Sequence, residues 1–169
     1  YVAGLLDPMR DFAVVYYPTV NAYRRMSAMT WAPENVSWGM DNRTCALRVI
    51  TQPNPGAYRI EHRCPGADIN PYLAIACMLG GGIAGIEAGH EPPSPVAGNS
   101  LDSPDLPGLP RNLRDAVGLF ETSTVAPAML GEEVVEQFLL MRRTEADLWD
   151  EAQRNAVSPW ELARYFDLH

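Results

Sequence analysis

Six of the chain's thirteen arginines fall within forty residues: Arg24, Arg25, Arg43, Arg48, Arg59 and Arg63. Glu61 lies between two of them, at i+2 from Arg59 and i−2 from Arg63. Guanidinium forks suit planar anions, carboxylate and phosphate above all. An arginine on a buried sheet face is costly unless it meets such an anion. Two readings fit this spacing. One is a plain ion-pair ladder. The other is a phosphate site in which Glu61 holds a divalent cation that bridges phosphate oxygens. Arg43 and Arg48 are five residues apart, so one continuous strand would send them to opposite faces. Both serve a single site only if Arg43 sits in the loop before that strand.

The elements around these residues can be read from pattern. Thr44 to Ile50 alternates, with Cys45, Leu47 and Val49 on one side and Ala46, Arg48 and Ile50 on the other. Tyr58 to Arg63 alternates again, with Arg59, Glu61 and Arg63 opposite Tyr58, Ile60 and His62. Two strands are predicted, paired as a hairpin through the turn chemistry of Gln52-Pro53-Asn54-Pro55-Gly56. The first twenty residues are apolar and helical, broken by Pro8 and Pro18. Residues 21–43 read as a structured loop.

Asn70-Pro71 is an N-cap followed by proline at the first helical position, opening a helix to about Ala88. Gly80-Gly81-Gly82 interrupts its pattern. Three glycines at roughly 1 kcal/mol each relative to alanine imply close packing on another backbone, expected to be the sheet. A phosphate-binding loop is rejected because its lysine and Ser/Thr are absent. Residues 91–110 are proline-rich and read as a surface loop or linker. Leu113, Ala116, Val117 and Phe120 define a short amphipathic helix, and Val134, Phe138, Met141, Leu148 and Ala152 a longer one. Ser158-Pro159-Trp160-Glu161 is a capping box that opens a last helix. The fold class is α+β: an antiparallel hairpin, then a mostly helical C-terminal half.

Composition bounds the rest. The 169 residues can bury a real core, and 47% apolar against 20% charged residues excludes a disordered chain. The net charge of −8 argues against nucleic acid as partner. Residues 1–65 hold seven Arg against five acids, and residues 66–169 six Arg against sixteen acids. There is no lysine, which either codon bias or a preference for planar anions explains. No apolar run reaches membrane-spanning length. Cys45, Cys64 and Cys77 show no CxxC spacing and fit a reducing, cytoplasmic setting. The start at Tyr1-Val2-Ala3 has no charged leader and reads as a cut inside a longer protein, not a signal peptide.

Five blocks in order, Asn21-Ala22-Tyr23-Arg24-Arg25, Ala32-Pro33, Asp41-Asn42-Arg43-Thr44, Arg59-Ile60-Glu61-His62-Arg63 and Asn70-Pro71-Tyr72-Leu73-Ala74, resemble the glutamine synthetase catalytic domain. The resemblance covers essentially all of residues 1–169, as the C-terminal portion of that domain only. It implies an ATP-dependent carbon–nitrogen ligase that joins glutamate to a nitrogen nucleophile through γ-glutamyl phosphate, with ATP and Mg2+ or Mn2+ as cofactors. By motif, Arg25 resembles the arginine that holds the glutamate carboxylate. Arg43 and Arg48 resemble those on the transferring phosphoryl group and the ATP phosphates, and Arg59 the one packed on adenine. Glu61 resembles a metal ligand. Arg63 resembles the arginine near the acyl phosphate and substrate carboxylate.

One departure bears on the acceptor. Immediately before Ala32-Pro33 the family carries a flap glutamate that serves ammonium; here the residue is Trp31. An indole has no carboxylate for ammonium but can cover a site and contact an alkyl amine. The resemblance therefore leans to the amine-using branch, the γ-glutamyl-polyamine or γ-glutamyl-ethanolamide synthetases. A one-residue shift that supplies Glu34 instead would restore an ordinary ammonia-using enzyme. A catalytically dead binding protein is the remaining alternative, disfavoured because all the site-type residues are kept. No tyrosine lies between Tyr72 and Tyr165, so the adenylylated tyrosine of some bacterial members is absent. Missing upstream metal ligands imply that residues 1–169 alone are inactive. The family's ring assemblies imply a homo-oligomeric longer protein.

Overall fold

The computed structural model describes residues 1–26, 30–51 and 54–166. Two short helices, α1 (Val2–Leu6) and α2 (Ala13–Tyr16), lead into a 3-10 segment, Val20–Arg25. Three strands follow: β1 (Trp38–Met40), β2 (Leu47–Ile50) and β3 (Arg59–His62). Among the described residues five α-helices follow: α3 (Pro71–Glu87), α4 (Leu113–Glu121), α5 (Val125–Leu130), α6 (Glu132–Asn155) and α7 (Pro159–Tyr165).

The α+β expectation holds. Strands β2 and β3 pair antiparallel, with Arg48 opposite Glu61 and Leu47 opposite His62. Both are shorter than the alternating pattern. The connection includes a 3-10 turn at Pro55–Ala57; Gln52 and Pro53 of the expected turn lie outside the described residues. Strand β1 is a correction, because residues 21–43 read as loop. It pairs parallel to β2, Trp38 opposite Leu47. Three residues carry no readable period of two, and a neighbouring strand decides their conformation. The 91–110 segment is no free linker. Val96 N–H donates to the Trp38 carbonyl at 2.9 Å, and Trp38 Nε1 donates to the Pro93 carbonyl at 2.7 Å.

Helix α3 begins as read: the Asn70 side chain accepts from the Tyr72 and Leu73 amides, with Pro71 at the first helical position. It runs uninterrupted through its glycines. Gly81 and Gly85 meet the backbone of α1, not the sheet, while Gly80 faces the Met129 side chain and Gly82 the Tyr1 ring. A Cβ on Gly4 would overlap the Gly81 carbonyl and Gly85 backbone, and one on Gly85 would overlap Gly4. Of the triplet, Gly81 alone makes the expected close backbone contact, and its partner is a helix.

The core gathers Met9, Phe12, Tyr16, Tyr17, Phe120 and Phe138 between α1–α2, α4 and α6. Helix α4 buries the four residues expected. Helix α6 does not. It buries Val135, Phe138, Leu139 and Ala146, whereas Val134, Met141 and Leu148 are exposed. Its sequence carries two apolar stripes, and the one chosen faces Phe120, whose ring lies 5.6 Å from that of Phe138. Helix α7 has the expected capping box, Ser158 and Glu161 bonding reciprocally.

Candidate active site

The charged residues converge on one face of the β2–β3 pair. Cross-strand register places Arg48 opposite Glu61, and Arg48 Nη1 donates to Glu61 Oε2 at 3.0 Å. Arg63 Nε donates to Glu61 Oε1 at 3.1 Å. Arg48 also reaches Asp41, Nε to Oδ1 at 2.9 Å. Asp41 adopts a left-handed φ of 50°, a conformation that Asp tolerates better than most side chains. These contacts hold the Arg48 guanidinium's pKa above its usual value, hydrogen bonding to Asp41 being the largest cause. Both guanidinium side chains are largely covered, and the Glu61 carboxylate is 41% exposed. The ion-pair ladder is therefore real, and the carboxylate at its centre still opens to solvent.

Arg59 does not join the ladder. It is exposed, and its Nη1 donates to the Ala57 carbonyl at 2.8 Å. The i−2 position that looked like a partner is replaced by the cross-strand Arg48, a pairing that spacing within one strand cannot reveal. Arg43 sits in the loop before β2, the placement that one shared site demands, and it is exposed.

Arg63 has the densest connections. Beyond Glu61, its Nη1 donates to the Arg43 and Cys45 carbonyls. Its Nη2 donates to the Trp31 carbonyl at 2.9 Å. One guanidinium thus ties the Trp31 segment, the loop before β2 and the strand carboxylate together. Arg25 ends the 3-10 segment; it donates to the Cys64 carbonyl at 3.3 Å and lies over the Tyr17 ring. Arg25, Trp31, Glu61, His62 and Arg63 line one open depression. Trp31 is 69% exposed. Glu34 is elsewhere: it pairs with Arg111 at 2.5 Å, and its carbonyl accepts from the Leu109 amide.

Two features escaped the sequence reading. His62, on the opposite face of β3, packs its ring 4.6 Å from that of Tyr16. Its two ring nitrogens are buried without a hydrogen-bond partner. Burial pushes its pKa down to about 4, so it is neutral near pH 7. Alternation put it on the inner face but gave no sign that it borders the site. The second feature is the Asn42 clamp. Asn42 donates to the Val96 and Gly98 carbonyls and accepts from Thr44, while Ser100 Oγ donates to the Thr44 carbonyl. The loop that carries Arg43 is thereby fixed to the 91–102 segment.

Glu61 suits one position around a divalent ion. Mg2+ commonly takes one or two carboxylates, completing its shell with water and phosphate oxygens, and this carboxylate is open on one side beside two phosphate-type cations. Among the described residues, no three His, Cys, Asp or Glu gather where they would hold a metal by themselves. Among them too, no helix is long and apolar enough to cross a membrane.

A sheet face with one open carboxylate among arginines has donors of the kind that suit carboxylate and phosphate anions. The chain belongs to the glutamine synthetase family: residues 1–165 match the model of the glutamine synthetase catalytic domain. It is 43% identical over 167 residues to gamma-glutamylethanolamide synthetase GlnA4 of Streptomyces coelicolor, covering 99% of this chain and 35% of that protein. It is 40% identical over 171 residues to glutamate–isopropylamine ligase of Pseudomonas sp, covering 99% and 36%. A glutamine synthetase of Methanosarcina mazei is 35% identical over 175 residues, covering 99% and 38%. Among solved structures, a GmaS/ADP complex superposes with a TM-score of 0.81 at 30% identity, over 98% of this chain and 38% of that one. The chain thus spans little more than a third of the length of the relatives it matches.

Proposed function

We propose that the chain is the C-terminal portion of the catalytic domain of a longer ATP-dependent ligase that joins glutamate to an organic amine. In this reaction the glutamate γ-carboxylate takes the γ-phosphoryl group of ATP. The amine nitrogen then attacks the acyl carbon, inorganic phosphate leaves, and the amine loses a proton. Arg25 and Arg63 hold the glutamate side of the site. Arg43 and Arg48 meet the phosphoryl charge that builds up during transfer, where positioning and charge neutralisation are most of the catalysis. Arg59 serves the nucleotide base. Glu61 would hold one position of Mg2+ or Mn2+, which when bound neutralises phosphate oxygens. The longer protein is expected to be a homo-oligomer.

Trp31 carries the choice of acceptor. Its backbone is tied to Arg63 beside Glu61, it is one of the residues that line the depression, and Glu34 is paired with Arg111. The pairing of Glu34 with Arg111 supports this reading over the shifted-flap alternative. An apolar ring there excludes water from an acyl phosphate while admitting carbon. That one relative is named for a γ-glutamylethanolamide product and another for joining glutamate to isopropylamine supports the same reading.

The test is phosphate release by the longer protein with ATP, glutamate and a panel of ammonium, ethanolamine, isopropylamine, putrescine and spermine. An organic amine is expected to exceed ammonium in kcat/KM, and Trp31→Glu to lower amine use. Efficient glutamine formation with no response to any amine would return the protein to the ammonia-using enzymes. No turnover with any acceptor would favour a binding protein.

A further inference from the structure

Two arginines line the depression, Arg25 and Arg63, and they are held in different ways. Arg63 is fixed by Glu61 and by three backbone carbonyls. Among the described residues the Arg25 guanidinium makes one hydrogen bond, to the Cys64 carbonyl at 3.3 Å, and no ion pair. A guanidinium with donors left over can take a planar carboxylate in the bidentate manner. It does so tightly only if its position is set before the ligand arrives.

What sets Arg25 lies behind the depression. Tyr17 is fully buried, and Arg25 Cζ stands 5.7 Å from the centre of its ring. A ring face attracts a cation without consuming any of its N–H donors. The Tyr17 ring is itself packed, 5.7 Å from that of Tyr23. Its hydroxyl is buried without a hydrogen-bond partner, so the ring and not the phenol oxygen is what serves Arg25.

Gly66 supplies the room. A Cβ there would come within 2.6 Å of Arg25 Nη1 and within 2.6 Å of Asp68 Oδ1. Asp68 is engaged by the Thr19 hydroxyl at 2.6 Å. Both obstructed atoms are tips of side chains, not main chain. Gly66 is also outside the positive-φ glycines, Gly89 and Gly131. Alanine at 66 would therefore displace the guanidinium and leave the backbone in place.

We propose that Tyr17 and Gly66 are positioning residues for Arg25: the aromatic face holds the guanidinium, the missing side chain leaves it room, and together they set the affinity for glutamate. Neither lines the depression itself. This rests on the reading of Arg25 as the arginine that takes the glutamate carboxylate.

The test is steady-state kinetics of the longer protein, with glutamate and ATP varied separately and Tm recorded for each variant. Gly66→Ala is expected to raise KM for glutamate about tenfold, as small misplacements do, with KM for ATP and Tm unchanged. Tyr17→Leu should raise the same constant, and Tyr17→Phe, which keeps the ring, should restore it. If Tyr17→Leu does not fold, Gly66→Ala decides alone. Arg25→Gln is the reference: it should raise KM for glutamate further, and Gly66→Ala added to it should change nothing more, because the displaced group is gone. A rise in both Michaelis constants, or a Tyr17→Phe variant as impaired as Tyr17→Leu, would overturn the proposal. So would an unchanged glutamate KM in Gly66→Ala beside a raised one in Arg25→Gln, which would leave the reading of Arg25 standing. An unchanged glutamate KM in Arg25→Gln would sink that reading and the proposal with it.

Discussion

Glu61 and His62 are neighbours on one strand, and their surroundings are opposite. Glu61 faces outward, each oxygen taken by a different arginine and one side open to solvent. His62 faces inward, its nitrogens bare and its ring against Tyr16. The outer face is organised by charge, with partners drawn from residues 41, 48 and 63. The inner face is organised by shape, at the cost of two unsatisfied nitrogens, a cost that native proteins rarely accept. The difference teaches that β3 is a partition: a set of ionic contacts lies on one side, and an uncharged packing contact between His62 and Tyr16 lies on the other.

Removing the charge at the partition's outer face should have the largest effect. Glu61→Gln in the longer protein is expected to lower kcat about 10³-fold, equivalent to roughly 4 kcal/mol of barrier, while its circular dichroism stays unchanged. Steady-state phosphate release checks this, and turnover near wild type would mean that the carboxylate is only a ladder rung.

Arg63→Lys sharpens the picture by keeping charge and losing the fork. An ammonium cannot reach Glu61, the Arg43 carbonyl and the Trp31 carbonyl together. A drop of about 10²-fold in kcat/KM is expected, the scale on which small misplacements act. Full activity in the lysine variant would show that point charge alone suffices.

On the inner face, the expected effect is on stability. His62 has a pKa of about 4 against an ordinary value of 6.5. Above 6.5 neither state is protonated there. Between 6.5 and about 4 the unfolded chain takes a proton that the folded one declines, so stability falls as pH falls. His62→Phe should flatten this part of a denaturation profile recorded from pH 7 to pH 4.5. A mutant profile as steep as wild type would assign the acid loss to other groups.

Much of the partition was legible beforehand. Alternation in Thr44–Ile50 and Tyr58–Arg63 located both strands and sorted Glu61 from His62, because a strand's period of two is a local property. The Asn70 cap and Ser158 box were legible for the same reason. What failed depended on partners distant in sequence. Arg59 looked like the companion of Glu61, but register chose Arg48. Glycines announced a close backbone without saying whose. Helix α6 offered two apolar stripes, and only the position of Phe120 decides between them. Strand β1 exists because β2 lies beside it.

The crossing of α1 and α3 at Gly4, Gly81 and Gly85 has a consequence for motion. Helices that touch through side chains can slide, because rotamers adjust as ridges pass. Helices that touch through backbone have no such cushion, and any translation drives main chain into main chain. The pair is therefore locked in one register and moves as a single body. Segments held by side-chain hydrogen bonds carry no such restriction. The bond from Arg63 to the Trp31 carbonyl is of this second kind: it can break and re-form without main chain meeting main chain.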